Sequence, residues 1–206
     1  MDFKNGRRSI PFLTFFIPIV LLDLIFGSIG FDGLRLLSKP LILISLIFYF
    51  SFNGKHLPKN IFKYTFLALC FSLLGDIMLL FDYLSSFYFI FGLIAFLLAH
   101  IGYTLVFFRQ GNKDVPKEFW WMLAVLIIYG LSLYFILMDH LGGLKVPVII
   151  YISAILIMAI TAYNRKKRIE RSSYLFVLIG ALFFIISDSV LASTNLSSRF
   201  PDPTYW

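Results

Sequence analysis

Residues 87–108 read FYFIFGLIAFLLAHIGYTLVFF, and this stretch decides the class of fold. Its twenty-two residues include no Asp, Glu, Lys or Arg. An α-helix of about 20 mostly apolar residues is long enough to cross the hydrocarbon core of a bilayer. The stretch therefore predicts a membrane-spanning helix, in which the backbone polar groups are hydrogen-bonded within the segment.

The composition of the whole chain extends this prediction. Sixty per cent of the 206 residues are apolar and 14% are charged, against roughly a quarter charged in soluble domains. We predict an all-α fold, a polytopic transmembrane helical bundle that occupies residues 1–206 as a single domain. The second span is short, unless it begins near Leu34 and keeps Lys39 buried or snorkelling. The seven predicted spans are 10–30, 40–52, 61–81, 87–108, 119–138, 146–163 and 174–193.

The positions of Lys and Arg predict the orientation of these spans. Fourteen of the 18 lie in the N-terminal segment and in the loops at 53–63, 109–118 and 164–173, which fall on one side of the membrane. The positive-inside rule therefore places the N-terminus in the cytoplasm. We expect an integral protein of a bacterial inner (cytoplasmic) membrane, whose basic loops contact membrane lipids and not nucleic acid. The four residues on the opposite side are Arg35, Lys39, Lys145 and Arg199.

Three aspartates, Asp23, Asp76 and Asp188, lie inside predicted spans. An ionisable side chain in hydrocarbon costs at least about 2.5–3.5 kcal/mol, so its presence points to function. With about 1.5 Å of rise per residue, all three lie roughly 20–22 Å from the cytoplasmic face. This common depth predicts a shared polar cavity in the outer half of the bilayer. Three unrelated, locally satisfied aspartates are the alternative.

Other polar side chains on these spans are candidates for the same cavity. They share a helix face with an aspartate or with the intramembrane histidine, or they lie near the outer end of a span and can reach inward. A lone histidine in such a place is commonly a packed, hydrogen-bonded residue, but beside two carboxylates it points to function. The candidate supporting residues are Lys39, Ser72, His100, Tyr103, Tyr151, Ser187 and, as a structural group, Asp23.

Most of these polar positions fall within three short motifs. Any one of them is a weak signal, but their order and spacing together are fairly specific. Lys39-Pro40 precedes the set, and Pro147 and Tyr151 lie between its second and third members. The motifs are S-L-L-G-D at 72–76, H-I-G-Y at 100–103 and I-S-D-S-x-L-A at 186–192.

From about Lys39 to Phe200 this pattern resembles the lysoplasmalogenase (YhhN) family of multi-pass membrane proteins. The resemblance implies a lysophospholipid substrate and an enzyme that hydrolyses the vinyl ether bond of lysoplasmalogens. The products would be a fatty aldehyde and glycerophosphocholine or glycerophosphoethanolamine. The family usually has an eighth span, and this chain stops at Trp206, where that span should begin.

Asp76 and Asp188 are the predicted working pair, because both lie in the motifs and at matching depths. Hydrolysis of a vinyl ether requires an acid that protonates carbon and a carboxylate that stabilises the resulting oxocarbenium ion and activates water. Two neighbouring carboxyls can share one proton and divide these roles. The sequence does not assign the acid, and the chemistry requires no metal or other cofactor.

Two further functional classes remain open. The aspartates and His100 could hold a metal ion in a metal-dependent lipid hydrolase, although the chain has no paired-histidine motif. A small proton-coupled transporter would also bury aspartates and a histidine, but the sequence contains no internal repeat. At the outer end of the second span, Lys39 or Arg35 could meet a lipid phosphate or simply snorkel to the interface. Oligomeric state and headgroup preference are not predicted.

Reporter fusions test the predicted orientation. A fusion after Arg171 should report the cytoplasm and a fusion after Ser86 the outside, because the loops rich in Lys and Arg stay in the cytoplasm. Alkaline phosphatase and a fluorescent protein, each fused at both positions, measure the two sides independently. The reverse pattern would open the aspartate cavity to the cytoplasm and contradict the depth argument.

Overall fold

The computed structural model describes residues 3–113, 115, 117–138 and 141–199. Within these ranges the fold is all-helical, and seven α-helices are long and apolar enough to cross a membrane, which confirms the predicted fold class. Residues 200–206, at whose end the eighth span was expected to begin, lie outside the described residues. The helices are α1 (Phe3–Ile29), α2 (Asp32–Asn53), α3 (Lys59–Leu80), α4 (Ser86–Gln110), α5 (Lys117–Leu137), α6 (Lys145–Tyr163) and α7 (Arg171–Arg199).

Large apolar side chains cover the exterior of these helices. Phe15, Trp121 and Phe183 are 74%, 78% and 68% exposed. In a soluble protein such surfaces would be aggregation sites, whereas in a bilayer they face lipid tails of the same polarity. The chain is therefore an integral membrane protein.

The second helix shows where the second predicted span begins, which the sequence left open between Pro40 and a point near Leu34. The span does not begin at Pro40: α2 starts at Asp32, and both Lys39 and Pro40 lie inside it. Proline lacks the N–H that would bond the carbonyl of Leu36, but membrane helices tolerate this loss when neighbouring groups satisfy the backbone. The longer alternative, which begins near Leu34 and keeps Lys39 within the helix, is confirmed.

The chain forms two compact units, residues 1–99 and 100–206, and the division falls within α4. In the first unit α1 packs against α2, and α2 packs against α3. In the second unit α6 packs against both α5 and α7. Successive helices joined by short connections become antiparallel neighbours in each unit.

A tight turn joins α1 to α2. Gly30 adopts the left-handed conformation with φ of +75°, which costs glycine little because it has no Cβ. The N–H of Phe31 then bonds the carbonyl of Phe26 at 3.0 Å, the pattern of a Schellman motif at a helix end. The turn ends α1 sharply and brings its last turns alongside the first turns of α2.

In the second unit, the connection after α4 pairs with the connection after α6. The backbone N–H of Asn112 donates to the carbonyl of Asn164 at 3.1 Å, and the Asn112 side chain donates to the carbonyls of Asn164 and Lys166 at 2.7 and 2.6 Å. In return the Asn164 side chain donates to the carbonyl of Asn112 at 3.1 Å, and Arg168 donates to the carbonyl of Gly111. We call these contacts the loop clasp. It places two of the basic loops on the same side of the membrane.

Arg165 lies beneath the loop clasp and is 4% exposed. Its Cζ is 5.1 Å from the centroid of the Phe107 ring, a cation–π distance. Burial lowers the pKa of the Arg165 guanidinium, because a low-dielectric environment disfavours the charged form. A basic residue of this loop is thus part of the folded core and not only a topological signal.

Glycine allows the close approach of α5 and α6. A Cβ added at Gly130 would lie 2.5 Å from Leu156 Cδ1 and 3.1 Å from Ile152 Cγ2. Small residues at helix–helix contacts let backbones approach closely in membranes, where packing and not hydrophobic burial holds helices together. By contrast, Gly180 in α7 has open space where its Cβ would be.

Gly130→Val should lower the Tm of the purified protein, because overpacking a tight contact costs roughly 1–3 kcal/mol. Gly180→Val is the matched control, since the same change in an open helical position should leave the Tm nearly unchanged. Thermal unfolding in detergent, followed by circular dichroism, measures both. Equal Tm values for the two variants would show that the α5–α6 contact is not tight.

Candidate functional site

The first unit contains an ion pair within the membrane. Lys39 Nζ on α2 lies 3.5 Å from Asp76 Oδ1 on α3, with the two side chains 26% and 19% exposed. Lys39 lies seven residues after the start of α2, and Asp76 lies four residues before the end of α3. Because these two helices are antiparallel neighbours, both residues lie near the same end of the helix pair. The Asp76 carboxyl is also within electrostatic reach of Asp23 and Arg35.

Asp23 lies in this group through a hydrogen bond from α2. Ser38 Oγ, whose residue is 6% exposed, donates to Asp23 Oδ1 at 2.7 Å. The bond joins α1 to α2 just beyond the Gly30 turn. Asp23, Arg35, Ser38, Lys39 and Asp76 together form what we call the Lys39 cluster.

Ser72 lies one turn before Asp76 on α3 and is 2% exposed. Its Oγ has no hydrogen-bond partner among the described residues. A buried hydroxyl without a partner costs about 1–3 kcal/mol, so such a group commonly serves a ligand or an ordered water. Ser72 is therefore buried, as a site residue would be, but it is not bonded to Asp76.

The second unit contains a buried carboxyl–histidine–tyrosine group. Asp188 on α7 has an 11% exposed side chain, and its Oδ2 accepts a hydrogen bond from Tyr151 Oη on α6. The same Oδ2 lies 3.8 Å from Nε2 of His100, a residue that is 1% exposed at the start of this unit. Three helices thus contribute one polar side chain each to a single point.

Aromatic rings enclose the histidine. The ring centroid of His100 is 5.4 Å from that of Tyr151 and 4.9 Å from that of Phe184, and both contacts are edge-to-face. Such geometry is favourable for aromatic pairs and excludes water from one side of the imidazole. His100, Tyr151, Phe184 and Asp188 form what we call the Asp188 cluster.

Tyr103 and Ser187 are the two other predicted supporting residues of the second unit. Tyr103 is half-buried and stacks on Phe107 with 6.1 Å between ring centroids. Ser187 is exposed on α7, because the helix turns it away from its neighbour Asp188. Ser189, on the same α7 motif, is the bonded serine: its Oγ is 2.7 Å from Tyr129 Oη on α5.

Sequence reasoning did not single out Ser38, Tyr129 or Ser189. Ser38 stands three residues after Arg35 and next to Lys39, so a polar stripe on one face of α2 was the available signal. The sequence gave no comparable signal for Tyr129, because it is one of many aromatic residues in the membrane spans and lies outside the three motifs. That Tyr129 contacts Ser189 depends on how α5 and α7 are rotated about their axes, which only the structure gives.

The arrangement favours proton chemistry. A carboxyl in contact with an imidazole and a phenol can hold, accept or release a proton with little movement of atoms. Within each unit, the described residues bring no three His, Cys, Asp or Glu side chains together as a set of metal ligands. Asp76 belongs to the first unit and Asp188 to the second, so their pairing stays a prediction.

These features define a polytopic helical membrane protein with ionisable groups built into its spans. The sequence profile of the YhhN family matches residues 34–206, and the chain belongs to this family, as its motifs predicted. Membership suggests a hydrolase and is consistent with lysoplasmalogenase activity. No curated protein and no solved structure matches the chain.

A double-mutant cycle tests whether the Lys39–Asp76 ion pair stabilises the fold. Lys39→Met should lower the Tm, since it leaves a carboxylate unpaired within the membrane. Adding Asp76→Asn should recover much of that loss, with a coupling of about 0.5–3 kcal/mol. Lys145→Met, at an exposed position on α6, is the control and should change the Tm little. Additive effects of the two substitutions would show that the pair contributes nothing.

Proposed function

We propose that this protein hydrolyses the vinyl ether bond of lysoplasmalogens, releasing a fatty aldehyde and glycerophosphocholine or glycerophosphoethanolamine. The observation that carries the proposal is the Asp188 cluster, in which a nearly buried carboxyl contacts a tyrosine hydroxyl and a buried histidine. Membership in the YhhN family supports the same reaction class. Asp76 and Asp188 are the proposed working pair.

The reaction consumes one water and no other reactant. A proton adds to the outer carbon of the vinyl group, and the electron pair of the double bond forms the new C–H bond. The carbon next to the ether oxygen becomes part of an oxocarbenium ion, which water attacks with loss of a proton. The resulting hemiacetal breaks its bond to the glycerol oxygen, which takes up a proton while the aldehyde leaves. No cofactor takes part.

The Asp188 cluster is suited to supply the first proton. His100 Nε2 lies 3.8 Å from Asp188 Oδ2, near enough for each charge to influence the other group, and Tyr151 fixes the orientation of the carboxyl through its hydrogen bond. Because the histidine is 1% exposed, the proton is delivered to substrate without competition from bulk water. A positioned acid of this kind contributes typically about 10²–10⁴-fold to rate.

The Lys39 cluster is suited to the second role, in which a carboxylate stabilises the oxocarbenium ion and accepts a proton from water. The Lys39 ammonium, 3.5 Å from Asp76, can balance the negative charge of this carboxyl when it is ionised. A carboxylate beside the developing oxocarbenium ion stabilises its positive charge and can accept a proton from the attacking water. This division of roles gives each aspartate one task.

The membrane location suits a lysolipid substrate. Its single chain can lie among the apolar helices while the headgroup stays at the interface. We propose that the N-terminus is cytoplasmic and that the protein resides in a bacterial inner membrane, as the distribution of Lys and Arg predicts.

An assay with purified protein tests the proposal. In detergent, a lysoplasmalogen should yield one long-chain aldehyde per molecule consumed, with no ion gradient and no added cofactor. Mass spectrometry of the aldehyde measures the product, and EDTA should leave the rate unchanged because the acid is a side chain. Loss of activity with EDTA and its return with a divalent metal would favour a metal-dependent hydrolase. No aldehyde from a folded sample, with proton-linked uptake into liposomes, would favour a transporter.

Aspartate variants test the mechanism in the same assay. Asp76→Asn and Asp188→Asn should each lower kcat at least about 100-fold, and the double variant should be little worse, because the two act as a unit. Asp23→Asn is the matched control: the amide oxygen can still accept the bond from Ser38, so most activity should remain. Near-normal activity in either of the first two variants would contradict the carboxylate-pair mechanism.

A further inference from the structure

The Lys39 cluster contains two cations, and among the described residues only Lys39 forms an ion pair at close range. Lys39 is paired with Asp76, and Asp23 accepts its bond from Ser38. Among the described residues, the guanidinium of Arg35 makes no hydrogen bond or ion pair, and its Nε is enclosed by protein. Within the described part of the chain, Arg35 is therefore the cation of this cluster whose hydrogen-bond donors are not engaged.

The position of Arg35 is set by the helices around it. Arg35 lies in the first turn of α2, three residues after Asp32, which puts it near the membrane interface. A Cβ at Gly27 on α1 would lie 3.3 Å from Arg35 Cζ, so the guanidinium rests against the bare backbone of α1. The Gly30 turn and the Ser38–Asp23 bond hold α1 and α2 together at this point. The guanidinium is thus held in place by packing, within electrostatic reach of Asp76 but without a hydrogen bond to it among the described residues.

We infer that Arg35 binds the phosphate of the lysophospholipid substrate, an assignment that rests on the proposed function. The planar guanidinium presents paired N–H donors that match two phosphate oxygens, which an ammonium group cannot do. Lys39, already engaged by Asp76, is not the phosphate ligand. The structure thus separates the two cations that the sequence left as equal candidates.

The spacing along α2 fits this substrate. Arg35 and Lys39 are four residues apart on one helix face, a rise of about 6 Å. That rise is about the length of the three-carbon glycerol backbone, which separates the phosphate from the ether oxygen in a lysoplasmalogen. Phosphate at Arg35 would therefore bring the ether bond to the level of the Lys39–Asp76 pair.

A purely structural role for Arg35 makes a different prediction. A cation beside the last turn of α1 is favoured by the helix dipole, and this effect needs only a positive charge. In that case Arg35→Lys would retain the full effect of arginine, and removal of the charge would lower stability without changing selectivity among lipids. Phosphate binding by the guanidinium fork instead makes selectivity depend on arginine itself.

Binding of two lipids that differ only in the phosphate headgroup tests the inference. The probes are 1-O-hexadecyl-glycero-3-phosphocholine and 1-O-hexadecylglycerol, whose saturated ether bonds are not vinyl ethers, so the readout does not depend on turnover. The ratio of their Kd values, measured in the same detergent, reports the contribution of the phosphate. Arg35→Gln should reduce the preference for the phosphate lipid about 10- to 100-fold, the loss expected for hydrogen bonds to a charged group. Arg35→Lys should restore only part of it.

Lys145→Gln, an exposed basic position on α6, is the matched control and should keep the ratio of the wild type. A wild-type protein without preference for the phosphate lipid would overturn the inference, and so would an Arg35→Gln variant that binds both lipids equally more weakly with a lowered Tm. Absence of aldehyde in the assay above would count against the proposed reaction, while these Kd ratios would still decide the phosphate site.

Discussion

A carboxylate within a membrane-spanning helix requires a partner, because hydrocarbon supplies neither water nor counter-ions. The two units of this protein meet that requirement in different ways. Asp76 and Asp23 are satisfied by a lysine and a serine from α2. Asp188 is satisfied by a tyrosine from α6 and a histidine from α4. The partners named here come from neighbouring helices, so these intramembrane polar groups also fix how the helices of each unit pack.

The helices could be predicted from sequence because the bilayer imposes a length and a polarity on each of them. The bounds predicted for the third span, 61–81, differ from those of α3 by two residues or fewer at either end. The start of the second span could not be predicted from length and polarity alone, because a lysine followed by a proline is typical of the beginning of a helix and not of its interior. Within the helix, the charge of Lys39 is balanced by the carboxyl of Asp76 on α3.

The sequence indicates which polar residues are candidates for the site, but it does not indicate which of them contact one another. Motif and helix face selected Asp76, His100, Tyr151 and Asp188, because ionisable side chains in spans are rare enough to stand out. Which hydroxyl bonds which carboxyl depends on the rotation of each helix, and one hundred degrees separates neighbouring positions on a helix. Ser187 and Ser189 show this: one is exposed, and the other bonds Tyr129.

The loop clasp has a mechanical consequence for the Asp188 cluster. Four hydrogen bonds between Asn112 and the 164–166 backbone and side chains tie the end of α4 to the end of α6. Those two helices carry His100 and Tyr151, so a shear of one along the other would have to break the clasp first. The clasp therefore acts as a tether: the chain just after the helix that carries His100 is bonded to the chain just after the helix that carries Tyr151, at a distance along both helices from the cluster itself.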